Sequence, residues 1–170
     1  MDSAQTQELL SGLRQAMQAE RAGFEFYAAA ADKTDDPVGR ETFRRLAHEE
    51  NEHFNFLSAH YRSLIERGAL DPSVKLGRPE PTAEQVLFSP ALRARLGQAH
   101  FEMSALAIAV QLELNAITHY RAQALQAQSP EVKALFEELL AWETGHYEAF
   151  LRQQQDLQEE YWSSGGFEPF

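Results

Sequence analysis

The 170-residue chain contains no cysteine. That excludes disulfide bonds, thiolate catalysis, iron–sulfur clusters and cysteine-held zinc, and it leaves the redox compartment open. Positive charge is also scarce: 15 Lys and Arg stand against 26 Asp and Glu, a net charge of −11. A nucleic-acid binder needs a basic face for phosphates, so that class is set aside. No apolar run approaches the roughly 20 residues of a membrane span. The polar start, Asp2 to Glu8, lacks the basic-then-apolar pattern of a secretion leader. A cytoplasmic location is the resulting expectation. Hydrophobic residues make up 44%, enough for one domain with a real core.

Helix formers dominate, and the punctuation divides them. Residues 3 to 33 place Leu9, Leu13, Ala16, Phe24 and Tyr27 at helical spacing. Asp36-Pro37 reads as an N-cap with proline at the first helical position, opening a second helix that Gly68 ends after Arg67. Pro72, Gly77, Pro79 and Pro81 mark a loop. Thr82 with Gln85 resembles a capping box. Ser89-Pro90 starts a segment expected to merge into a third long helix, to about Ala127. Ser129-Pro130 starts a fourth, to about Glu160. The expectation is an all-α bundle over residues 1–160 and a flexible tail over 161–170.

Two Glu-x-x-His pairs, Glu50 with His53 and Glu143 with His146, stand 93 residues apart. With six His in the chain, about one such pair arises by chance, so the spacing alone is weak. The shared offset is strong. It also relates Glu20 to Glu113, Tyr27 to Tyr120, Pro37 to Pro130, Phe43 to Phe136 and Leu46 to Leu139. The chain is a duplicated helical hairpin. Tight links join the helices within each half, while the link over 68–90 is long enough to run the length of a bundle.

Residues three apart on a helix share a face, so each Glu-x-x-His can reach one point inside the bundle. Four helices thus offer Glu20, Glu50 with His53, Glu113, and Glu143 with His146 to a common centre, a ligand set known from dimetal carboxylate bundles. Buried carboxylates repel one another, and two divalent cations supply the cancelling charge. Oxygen donors with one imidazole per metal suit iron or manganese. On a helix surface the same spacing is commonly a solvated contact. Leu46, Phe54 and Leu57 around Glu50, and Leu139, Tyr147 and Phe150 around Glu143, argue for burial instead. Tyr27 and Tyr120 either fill the core as plain aromatics or donate hydrogen bonds that steady ligand carboxylates. His48 and His53 are five apart rather than four, so a zinc-protease reading fails. His60, His100 and His119 are expected at the surface or at caps. Glu102 is expected at an exposed helix end, and Glu25, Glu49 and Glu52 in solvent.

At Ala19-Glu20, Glu25-Phe26-Tyr27 and Phe43 through His53, and again at Leu112-Glu113, Tyr120, Phe136 and Glu143 through His146, the chain resembles the rubrerythrin branch of the ferritin-like proteins. The resemblance spans residues 5 to about 155. It implies a ferritin-like four-helix bundle with one long crossover. It also implies two iron ions held by Glu20, Glu50, His53, Glu113, Glu143 and His146, with Glu50 and Glu143 bridging. The implied activity is reduction of hydrogen peroxide or dioxygen with electrons from an external donor protein, in a homodimer, with Tyr27 and Tyr120 as candidate catalytic residues. Ferroxidation with iron handling, and a purely structural metal site, are the alternatives. Two departures stand out. Zero cysteines rule out the rubredoxin-type iron site of rubrerythrins proper, and Ala116 occupies the place of an extra Glu three residues after Glu113.

Overall fold

A computed structural model of the chain describes residues 3–77, 87–94 and 96–164. Among them every regular element is helical: α1 (Ser3–Lys33), α2 (Pro37–Arg67), the short α3 (Pro90–Arg93), a 3₁₀ turn at Leu96–Gln98, α4 (His100–Gln126) and α5 (Pro130–Ser164). α1 packs along α2, α4 packs along α5, and α1 also meets α4, which makes a helical bundle. Among the described residues no helix is long and apolar enough to cross a membrane.

The helix ends follow the punctuation. Asp36 caps α2 by accepting the Gly39 amide at 2.8 Å, with Pro37 at the first turn. Gly68 ends α2 with φ 71°, a left-handed conformation that costs a glycine nothing, and its amide reaches the Leu64 carbonyl at 3.0 Å. Ser89 caps α3 through the Leu92 amide, and Ser129 caps α5 through the Val132 amide. Asp36 has a second use. It accepts the Ser89 amide at 3.0 Å and the Ser89 hydroxyl, which pins the start of α3 to the start of α2. At the other end of the same connection, Leu76 N–H donates to Glu138 and Trp142 Nε1 to the Gly77 carbonyl, both on α5.

The apolar interior forms two clusters, and each long helix contributes to both. One holds Tyr27, Phe43, Leu46, Phe88, Leu106 and Phe150. The other holds Leu13, Leu57, Tyr120, Phe136, Leu139 and Trp142. Between the two contributions each helix carries its buried acid: Glu20 on α1, Glu50 on α2, Glu113 on α4 and Glu143 on α5. The charged layer is therefore sealed on both sides by hydrocarbon, where an unpaired charge is costly.

Three helix boundaries differ from expectation. The segment begun at Ser89-Pro90 does not merge into α4. It stops at Arg93 and gives way to the 3₁₀ turn before His100. Gly97 weakens helix continuation there, and the break lets Leu92, Leu96 and Ala99 all enter the first apolar cluster. α5 runs to Ser164, past Glu160, because Leu157 is fully buried and Glu160 accepts from Arg93. Residues 161–164 of the expected tail are thus helical. Residues 165–170, like the capping box at Thr82 and Gln85, lie outside the described residues.

Candidate metal centre

Each long helix delivers its ligand candidates from between its contributions to the two apolar clusters. Glu20, Glu50, His53, Glu113, Glu143 and His146 are all at most 5% exposed. Their ligand atoms form two groups, each drawn within 4.8 Å of one another: Glu20, Glu50, His53 and Glu143 in one, and Glu50, Glu113, Glu143 and His146 in the other. Glu50 and Glu143 belong to both. The two imidazole rings lie parallel to within 24°, with centroids 6.2 Å apart.

The hydrogen bonds cross between halves. Tyr27 on α1 donates its hydroxyl to Glu113 Oε1 on α4, and Tyr120 on α4 donates to Glu20 Oε1 on α1. Phe43 stacks behind Tyr27 at 6.3 Å and Phe136 behind Tyr120 at 6.2 Å, so the duplication holds in the supporting rings as well. His53 Nδ1 lies 3.2 Å from Glu20 Oε2 and 2.9 Å from Glu143 Oε1. His146 Nδ1 lies 3.4 Å from Glu143 Oε2 and 3.9 Å from Glu113 Oε2.

Burial, followed by neighbouring carboxylates, pushes Glu20, Glu50 and Glu113 well above the usual carboxylate range. Burial acts the same way on Glu143, but His53 and His146 outweigh it and hold that acid well below the range. Burial lowers both imidazoles, and the carboxylates overcome it: Glu143 raises His53, while Glu143 and Glu49 raise His146 further. Tyr27 is pushed well up by burial and by Glu113. The cluster thus holds protons where cations can replace them.

Buried polar atoms are ordinarily all hydrogen-bonded. Here both oxygens of Glu143, both nitrogens of His146 and His53 Nε2 have no aligned partner among the described residues. The unpartnered Glu143 and His146, set among three further buried carboxylates and His53, fit a divalent metal bound through oxygen and nitrogen. On the α1–α4 side a cavity of about 240 Å³ reaches the cluster, lined by Glu20, Gly23, Tyr27, Glu50, Glu113 and Ala116 among others. Gly23 leaves room for this approach. A Cβ there would lie 2.6 Å from Glu50 Oε2.

Four residues expected outside the interior behave differently. Glu49 is buried: Arg45 donates to its Oε1 at 2.9 Å, and its Oε2 lies 3.0 Å from His146 Nε2. Burial pushes its carboxyl up, but His146 and Arg45 outweigh that and bring it below the usual value. The signal was available, because the offset of 93 matches Glu49 with the apolar Trp142. Glu102 is buried too, accepting from Thr34 Oγ1 at 2.8 Å, because α4 starts at His100 and Thr34 follows the end of α1. His60 is buried edge-on against Phe56, with burial lowering its pKa. His119 is half-buried, 3.2 Å from the Gly12 carbonyl. His100, Glu25 and Glu52 are exposed as expected.

In comparisons with known proteins, no curated protein and no solved structure matches the chain. A family model described as rubrerythrin matches residues 11–154, which takes in all six ligand candidates and both tyrosines. The chain belongs to the rubrerythrin family.

Proposed function

We propose that the chain is a non-haem di-iron oxidoreductase of rubrerythrin type that reduces hydrogen peroxide or dioxygen. The observation that carries this reading is the pair of overlapping carboxylate–imidazole groups that share Glu50 and Glu143. In this reading Glu20, Glu50, His53 and Glu143 would hold one iron and Glu50, Glu113, Glu143 and His146 the other, with Glu50 and Glu143 common to both sets. A bound ferrous pair would supply the two electrons that, with two protons, take hydrogen peroxide to two waters.

The chain's own groups do the rest. Tyr27 and Tyr120 donate to Glu113 and Glu20, fixing those carboxylates and standing as the nearest hydroxyl protons. The two apolar clusters keep bulk water from the charged layer. The cavity beside Gly23 and Ala116 offers a small oxidant its route, and Ala116 leaves space where a longer acid would fill it. The contacts of Ser89 with Asp36 and of Gly77 with Trp142 support a ferritin-like four-helix bundle with one long crossover. An external electron-donor protein and a homodimer complete the proposal on family likeness alone.

The test is metal content and near-ultraviolet absorption of anaerobically purified protein loaded with Fe(II), before and after peroxide, beside Glu50→Ala. Two irons per chain, a fast ferric absorption rise with peroxide, and loss of both in the variant are expected. A response to dioxygen that oxidises the added Fe(II) but gives no further turnover with an added reductant would move the assignment to ferroxidation. A wild type that binds no metal, or a redox-silent one, would overturn it.

A further inference from the structure

The duplication that matches Glu50 with Glu143 also matches Arg45 with Glu138 and Glu49 with Trp142. The two halves use these positions differently. In the first, Arg45 holds one oxygen of Glu49 at 2.9 Å, and the other oxygen lies 3.0 Å from His146 Nε2. In the second, Glu138 accepts the Leu76 amide at 3.1 Å, and Trp142 Nε1 donates to the Gly77 carbonyl at 3.2 Å. Those side chains hold the segment after α2. The Trp142 ring meets the His53 ring edge-on, with centroids 5.3 Å apart, and offers it no acceptor atom.

Both imidazoles turn Nδ1 toward the carboxylates, so Nε2 is the atom an outer partner must hold. His53 Nε2 has no hydrogen-bond partner among the described residues. His146 Nε2 faces the anionic Glu49. That contact is not yet aligned as a hydrogen bond, but the terminal torsion of a glutamate is broad and turns at little cost. A carboxylate on the far nitrogen keeps the proton there, fixes the ring orientation and makes the inner nitrogen a more basic ligand.

We propose that Glu49 is a positioning residue for His146, and that Trp142 at the matched position leaves His53 without one. The two metal positions are therefore inequivalent: the one served by His146 binds more tightly and fills first. This rests on the two-metal reading above.

The test is calorimetric titration of cobalt(II) into the metal-free full-length chain, with the visible d–d absorption followed in parallel. Wild type gives two resolved events; His146→Ala abolishes the tighter and His53→Ala the weaker. Glu49→Ala weakens the tighter event by about 10–100-fold and shifts its d–d band, while the weaker event stays in place. Glu49→Gln keeps an acceptor without the charge and falls between. It also carries the test should Glu49→Ala lose helicity by circular dichroism. Two equal events in wild type, or Glu49 variants that weaken both events alike or neither, would overturn the inequivalence and leave the two-metal reading standing. A wild type that takes up one cobalt or none overturns both.

Discussion

The hydroxyl of Tyr27 donates to Glu113 Oε1, joining α1 to α4 across the buried acidic layer, and Tyr120 returns the bond from α4 to Glu20. Each tyrosine thus serves the acid of the opposite half. Tyr27→Phe keeps the ring that packs on Phe43 and removes only the donor, leaving a buried carboxylate oxygen without its partner. Such a loss costs about 1–3 kcal/mol, roughly 2–12 °C in Tm for a chain of this size. Thermal melts of the metal-free variant check it, and an unchanged Tm would show that the bond contributes nothing.

Gly23→Ala separates folding from metal binding. Alanine is the better helix former by about 1 kcal/mol, yet its Cβ falls 2.6 Å from Glu50 Oε2. The shared carboxylate must move, and with it both ligand groups. The metal-free Tm is expected to hold or rise slightly, while metal affinity falls by about 10–100-fold. Calorimetry with Mn(II) reads the second effect. A variant that binds metal as tightly as wild type would mean that Glu50 is not constrained where it stands.

The helices and the ligand candidates were legible in the sequence because both follow a repeat. Proline after Asp36 and Ser129 marked the helix starts, and the 93-residue offset marked the acids. Residues that break the repeat were harder. Glu49 sits beside Glu50 and, on one helix considered alone, points off the ligand face; its burial comes from His146 on α5. Glu102 is covered by Thr34 through a contact between distant parts of the chain that no local spacing encodes, while His60 packs on Phe56 four residues earlier, a local contact whose burial depends on the rest of the bundle. The interruption before α4 was missed because a single Gly97 reads weakly until the burial of Leu96 and Ala99 is known.

Asp36→Ala should damage the fold and spare the centre. The carboxylate caps α2 and takes both the amide and the hydroxyl of Ser89, far from the ligand groups in sequence and packed within the first apolar cluster's end of the bundle. Losing the cap and its link costs about 1–3 kcal/mol. Denaturant melts should show that loss, while two metals still bind per chain. Loss of metal at full helicity would place Asp36 in the site's support instead.

Stability without metal should fall as pH rises. Glu20, Glu50 and Glu113 have folded values raised above the ordinary 4.5, so above that pH the folded chain holds protons the unfolded chain has released. His53 and His146 are raised above 6.5 and act in the same direction from there upward. Glu143, held low, opposes them only below 4.5, where its loss of charge removes stability. Metal-free protein should therefore melt lower at about pH 8 than at about pH 5.5. Bound metal displaces those protons, so loaded protein loses the slope, and affinity strengthens with pH. Melts of both forms across this range, with proton release measured by calorimetry in two buffers, check the sign. A metal-free Tm that climbs toward pH 8 would mean that the buried acids are already ionised and paired before any cation arrives.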